Sequence, residues 1–251
     1  MRTLVLTVLL AVACPWPISA QAPATAFVGV TVIPMDRERA IADQTVIVRG
    51  GRIVEVGRTV DVKVPEDATR IDGRGKFLMP GLSDMHGHLP PGDGTSDDAV
   101  SQFLRLYLAN GVTVVRGMLG APNNIVVRDK VARGELPGPR IFAASPPVHQ
   151  NVAPTPEAGV KAVEDAKAAG FDLIKVHEGL SPDTYAAIVA TAARLDIRLA
   201  GHVTATVGLT RALEARQSSI EHLDGYLQAL VPSDAPVQPP PGQVIVGPVL
   251  A

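Results

Sequence analysis

Pro80-Gly81-Leu82-Ser83-Asp84-Met85-His86-Gly87-His88 ends in two histidines spaced two residues apart. On a β-strand, residues at that spacing point to the same face. If the run closes a strand, two imidazoles project side by side from its tip. Neutral imidazole is a good ligand for zinc and its first-row neighbours, so such a pair can hold one divalent ion. The apolar lead-in Lys76-Phe77-Leu78-Met79-Pro80-Gly81-Leu82 reads as a buried strand that delivers the pair. An isolated His-x-His beside a Gly- and Pro-rich turn is more often a pair of loop residues, so the rest of the chain decides.

Upstream, from Ala26 to about Arg74, the pattern is β. Thr45–Arg49 and Arg52–Val56 are β-branched runs separated by Gly50-Gly51, which predicts a tight hairpin because glycine accepts the positive φ of such turns. Phe27–Ile33 and Thr69–Asp72 read as further strands. Downstream, apolar spacing predicts a helix over Ala99–Asn110, then alternating elements. Strands are expected at Val112–Arg116, Arg140–Ala144, Phe171–His177, Ile197–His202 and Ser218–His222. Helices are expected at Asn124–Glu135, from a Thr155 cap to Ala169, from Ser181 to about Leu195, and over Val207–Arg216. Strands alternating with helices argue for βα units and a parallel sheet.

In a parallel βα array the strand carboxyl ends share one face, and ligands gather there. Those ends carry His86 and His88, then Lys175 and His177, then His202, then His222. Alternation would turn Glu221 away from that group. Lys175 is the odd member, because an unpaired buried ammonium is costly and the amine tends to neutralise. Such a lysine either snorkels out to Asp172 or Glu178, or reacts with carbon dioxide to a carbamate whose two oxygens can bridge two metal ions. Histidines expected from three other strands at the same rim favour the carbamate.

Composition narrows the classes. A formal net charge of −2 without a basic stripe argues against nucleic acid as a partner. The single cysteine, Cys14, lies in a leader formed by Arg2, the apolar run Leu4–Ala13 and the small residues Ile18-Ser19-Ala20. This predicts export to the periplasm or beyond, with lipid attachment at Cys14 as the lesser alternative. After the leader no apolar stretch reaches the length of a membrane span.

The order His-x-His, Lys, His, His, each at a strand end, resembles the amidohydrolase superfamily. The runs Phe77–His88, Asp172–Lys175, Gly201-His202 and Ile220-Glu221-His222-Leu223 are similar to its imidazolonepropionase-like and prolidase-like branch. The resemblance implies an α/β fold, a (β/α)₈ TIM-type barrel with a small N-terminal β-sandwich part. It implies a hydrolase of amide, peptide-like or cyclic amide C–N bonds, working on a small-molecule or short peptide-like substrate through a metal-bound hydroxide. One or two divalent ions, zinc by default, would be held by His86, His88, Lys175 as its carbamate, His202 and His222. His177 would touch substrate, while His149 in the loop Pro146–Gln150 reads first as a solvated loop histidine and second as a substrate contact. Arg116 and Met118 would line the pocket or simply fill the barrel, and Asp84 would have a structural hydrogen-bonding role.

The family also supplies an eighth-strand aspartate, which cannot be placed here. Asp224 follows too closely on the sixth strand, and Asp234 sits in a loop-like segment. About six βα units are legible where a closed barrel has eight. The expected division is therefore a signal peptide over 1–20, the β-sandwich part over 21–75, an incomplete barrel over 76–230 and a truncated, proline-rich tail over 231–251. Such a piece is expected to be weakly stable and impaired in activity. The competing readings are a single-metal deaminase-type member of the superfamily and a remnant without turnover.

Overall fold

The computed structural model describes residues 22–90, 97–232 and 234–236. The expected leader with Cys14, and most of the proline-rich tail, lie outside the described residues. The chain divides into two compact units, Met1–Pro80 and Gly81–Ala251. No helix among the described residues is long and apolar enough to cross a membrane.

The first unit is a single five-stranded sheet. Its strands are β1 (Ala24–Val32), β2 (Ile41–Arg49), β3 (Arg52–Arg58), β4 (Thr69–Asp72) and β5 (Phe77–Leu78). The order is β3-β2-β1-β4, with β5 also pairing on β1. The hairpin forms where the sequence places it: Gly50 and Gly51 adopt φ of 57° and 73°, the two positive values that let the turn follow the strand twist. Ala24, Ala26 and Ile47 form the buried centre, with Val28, Val62, Val64 and Ala68 packed against it. A second sheet facing this one, as a sandwich needs, is not found among the described residues of the unit.

The lead-in to the histidine pair is not one buried strand. Phe77 and Leu78 pair with Thr31 and Val32 of β1, the chain then breaks at Met79-Pro80-Gly81, and Phe77, Met79 and Leu82 are exposed. Proline lacks the N–H a ladder needs and biases the residue before it, so Pro80 interrupts the pairing that a continuous strand would require.

The second unit begins with β6 (Leu82–Gly87) and α1 (Asp97–Ala109), followed by β7 (Val112–Gly117), α2 (Pro122–Ala132) and β8 (Arg140–Ala143). It continues through α3 (Pro156–Ala169), β9 (Leu173–Val176), α4 (Pro182–Arg194), β10 (Arg198–Gly201), α5 (Gly208–Glu214) and α6 (Tyr226–Leu230). β6-β7-β8 and β9-β10 are parallel runs. Parallel bridges Ala144–Leu173 and Val148–Val176 join the two runs, so the strands stand side by side in chain order. That is the arrangement of a barrel wall, with each return made by a helix.

Local chemistry sets the helix ends. The Thr155 hydroxyl accepts the Ala158 N–H, and Ser181 accepts that of Thr184, with proline following each cap. Gly170 closes α3 at φ 90°. The largest buried cluster lies where α3 and α4 cover the outer face of β9, and it includes Val163, Ile174, Val176, Leu180, Tyr185 and Ile188.

The expected sixth strand of this unit does not form. Ile220 makes a single bridge to Gly201, and Glu221–Leu223 is a turn of 3₁₀ helix in which His222 and Leu223 adopt φ of 58° and 60°. Non-glycine residues in that region cost roughly 1–2 kcal/mol each, so surrounding contacts must hold them there.

Candidate functional site

The carboxyl ends of these strands open into a cleft of 260 Å³ lined by His86, His88, Met118, Leu119, Pro147, Lys175, His177, His202 and His222. β6 supplies His86, with His88 one residue past its end. β9 supplies Lys175, and His177 follows it. His202 follows β10, and the 3₁₀ turn supplies His222. Gly201 makes the approach of β10 to β9 possible. Its φ is 131°, and a Cβ there would stand 2.1 Å from the Val176 carbonyl oxygen.

All six histidines of the chain form one unbroken row of neighbouring rings. In order they are His88, His86, His222, His202, His177 and His149, at centroid separations of 5.4, 4.5, 5.1, 4.4 and 6.3 Å. His149 stands at the outer end, and its Nδ1 accepts the Asn151 N–H at 3.2 Å.

Two carboxylates hold two of these rings. Glu221 Oε2 lies 2.7 Å from His86 Nδ1. Its Oε1 accepts from Arg116 Nη2 at 2.7 Å and from the Ser219 hydroxyl at 2.5 Å. Burial pushes the Glu221 carboxyl up, but hydrogen bonds from Ser219 and His86 and the charge of Arg116 outweigh it and leave it below the usual range. An ionised carboxylate only accepts, so this contact favours the tautomer with the proton on His86 Nδ1 and the lone pair on Nε2. Asp224 Oδ2 lies 2.7 Å from His202 Nδ1. Glu221 therefore does not turn away from the group; the left-handed residues at 222 and 223 break the alternation on which that expectation rested.

Lys175 is 2% exposed, and its Nζ has no hydrogen-bond partner. It does not reach Asp172, whose Oδ2 accepts from Arg128 and from the Ala143 N–H. Burial pushes the Lys175 amine below its ordinary value, and Arg116 adds to the fall, while Glu221 and Asp224 act the other way. Burial likewise lowers His86, His177 and His202. These groups are thus biased towards their neutral, electron-pair-bearing forms, as metal ligation needs.

Among the described residues no three histidine, cysteine, aspartate or glutamate side chains form a group that could hold a metal ion as they stand. Pairs do fit. Two imidazoles on one tetrahedral ion, with bonds of about 2.0–2.1 Å, place their ring centres roughly 5 Å apart. His86–His88 and His202–His222 stand at 5.4 and 5.1 Å. Lys175 lines the same cleft as both pairs.

Other expected residues fall as follows. Met118 is fully buried and lines the cleft. Arg116 donates from Nε to the Met85 carbonyl as well as to Glu221, so it braces the β6 end. Asp84 Oδ1 accepts the His86 N–H at 3.0 Å, and the Tyr107 hydroxyl also bonds to Asp84.

Residues 77–235 match the amidohydrolase family. The chain belongs to that family. It is 35% identical over 101 residues to a dihydroorotase of Anaeromyxobacter sp. (strain K), covering 40% of this chain and 22% of that protein. It is 30% identical over 105 residues to an imidazolonepropionase of Paenarthrobacter aurescens (strain TC1), covering 40% and 25%. A solved Xaa-Pro dipeptidase with bound methionine superposes with a TM-score of 0.67 at 21% identity, over 79% of this chain and 61% of that one. This last likeness concerns the fold, which is that of the amidohydrolase barrel proteins. The matches span between a fifth and a quarter of the length of these curated relatives.

Proposed function

We propose that the cleft is the centre of a metal-dependent hydrolase acting on C–N bonds of amides, short peptides or cyclic amides. The observation that carries this reading is the unbroken row of imidazoles beside a buried lysine without a partner, at the strand ends where a βα array binds its ligands. His86 and His88 would hold one ion, His202 and His222 another, and Lys175, as its carbamate, would lie between them. Zinc held there would supply the Lewis acidity that lowers the pKa of a water molecule and polarises the substrate carbonyl.

The chain's own residues do the rest. Neutral Lys175 attacks carbon dioxide through its Nζ lone pair and releases one proton, which leaves an anion where a charged ammonium would be costly. Glu221 and Asp224 keep Nδ1 protonated on His86 and His202. His177 and His149 extend the row outward and would meet the substrate, with Leu119 and Pro147 as apolar contacts. The relatives carry names as different as dihydroorotase and imidazolonepropionase, so likeness does not choose the substrate. The leader read from the sequence would place the protein in the periplasm or outside the cell.

Zinc analysis together with a panel of Xaa-Pro dipeptides and cyclic amides tests the reading. The expected result is about two zinc ions per chain and zinc-dependent cleavage of one panel class. Lys175→Ala should lose the second ion. A chain that takes up no zinc would overturn the proposal.

A further inference from the structure

The chain from Glu221 to Asp224 does more than supply His222. Its first and last residues are the two carboxylates that hold histidines contributed by other strands. Glu221 reaches His86 at the end of β6, and Asp224 reaches His202 at the end of β10, both at 2.7 Å and both through Nδ1. Between them, His222 and Leu223 sit in the left-handed region. In an ordinary strand, residues 221 and 224 would face opposite sides of the sheet. The left-handed pair is what turns both carboxylates towards the row of rings.

The two carboxylates differ in their surroundings. Glu221 is balanced by Arg116 and bonded by Ser219. Asp224 is 2% exposed, its Oδ1 has no hydrogen-bond partner, and among the described residues no cation forms an ion pair with it apart from the His202 imidazole.

We propose that Glu221 and Asp224 are positioning residues for both halves of the centre. Each fixes one histidine as its Nδ1–H tautomer, so that this one turn presents the Nε2 lone pairs of His86 and His202 as well as His222. The proposal rests on the metal-centre reading for its purpose, though not for its geometry. Carboxylates that hold ligating histidines in this way commonly contribute 10- to 100-fold to metal affinity.

The test has two readouts on the whole purified chain. The first is the tautomer of each histidine in the zinc-free protein, from nitrogen-15 NMR of the imidazoles. His86 and His202 should carry their proton on Nδ1, and Glu221→Leu and Asp224→Leu should each release only the ring that residue holds. The second is zinc affinity by chelator competition. Each leucine variant should bind about 10- to 100-fold more weakly, and Glu221→Gln, which keeps an acceptor oxygen, should recover part of the loss. The wild-type tautomers need no variant, so a variant that fails to fold leaves the test standing. Protons found on Nε2 of His86 and His202 would overturn the proposal. So would leucine variants with unaltered tautomers and unaltered zinc binding, while the metal-centre reading survived. A wild-type chain with the expected tautomers and no zinc binding would sink the metal centre and leave only the positioning geometry.

Discussion

The two faces of β9 differ in almost every physical respect, although they alternate along four residues. Ile174 and Val176 face α3 and α4 in the largest buried cluster, packed among side chains such as Val163, Leu180 and Ile188. Lys175, between them, is equally buried and has no partner for its amine. One face is where burial stabilises the unit. On the other, burial costs stability, because it leaves an amine without a hydrogen bond. The sharpest break of this contrast is Ile188→Ala on α4, whose side chain is wholly buried against α3 and lies 3.0 Å from where a Cβ on Gly159 would stand. Truncation leaves a cavity that close helix packing cannot refill, so it should cost about 2–5 kcal/mol in urea unfolding. Zinc affinity of the folded fraction should not change. A loss of zinc binding in folded protein would mean that the two faces are not independent.

Lys175→Met probes the opposite face with the opposite sign. Methionine fills a similar volume without an amine to desolvate. In zinc-free protein the substitution should raise stability by about 1–3 kcal/mol, because it takes away a buried polar group whose amine has no hydrogen bond to give up. The same variant should bind about one zinc ion fewer than the wild-type chain. If urea unfolding showed Lys175→Met to be destabilising, the amine would have a stabilising partner in solution and the contrast would fail.

How much of this was legible in the sequence follows from the same faces. Period-two alternation correctly put Lys175 apart from Ile174 and Val176, because β9 is a regular strand between two packed helices. The helix caps at Thr155 and Ser181 and the Gly50-Gly51 hairpin were legible because each depends on one or two residues and their immediate backbone. The alternation rule failed where the backbone left the strand. At Ile220-Glu221-His222 it placed Glu221 on the wrong side, and it left Asp224 without a role beyond an eighth-strand ligand it cannot be. The signal against a strand was present in Asp224-Gly225, a turn dipeptide whose glycine adopts φ 78°. Pro80-Gly81 is a turn signal of the same kind, and it marks the break that the single-strand reading of Lys76–Leu82 passed over. The pairing of Glu221 with His86, 135 residues away in sequence, has no local signature.

Tyr185 offers the smallest and most specific test, because it sits inside the packed face yet carries a polar end. It is 4% exposed, and its hydroxyl donates to Gln217 Oε1 at 3.1 Å. Burial pushes that hydroxyl from 10.0 up to about 12. The phenol is neutral when protonated, so an unfolded chain gives up the proton near pH 10 while the folded chain keeps it to about pH 12. Across that window the unfolded state binds fewer protons, and stability falls as pH rises; below pH 10 the contribution is intact. Tyr185→Phe should cost about 1 kcal/mol at neutral pH, for the lost hydrogen bond and the Gln217 oxygen left behind. It should also flatten part of the alkaline fall, so the wild-type and variant stability curves converge as pH rises. Urea unfolding of both proteins from neutral pH into that alkaline window measures both effects. Parallel curves would mean that water reaches the hydroxyl, and the outer face of β9 would then be less dry than its apolar neighbours imply.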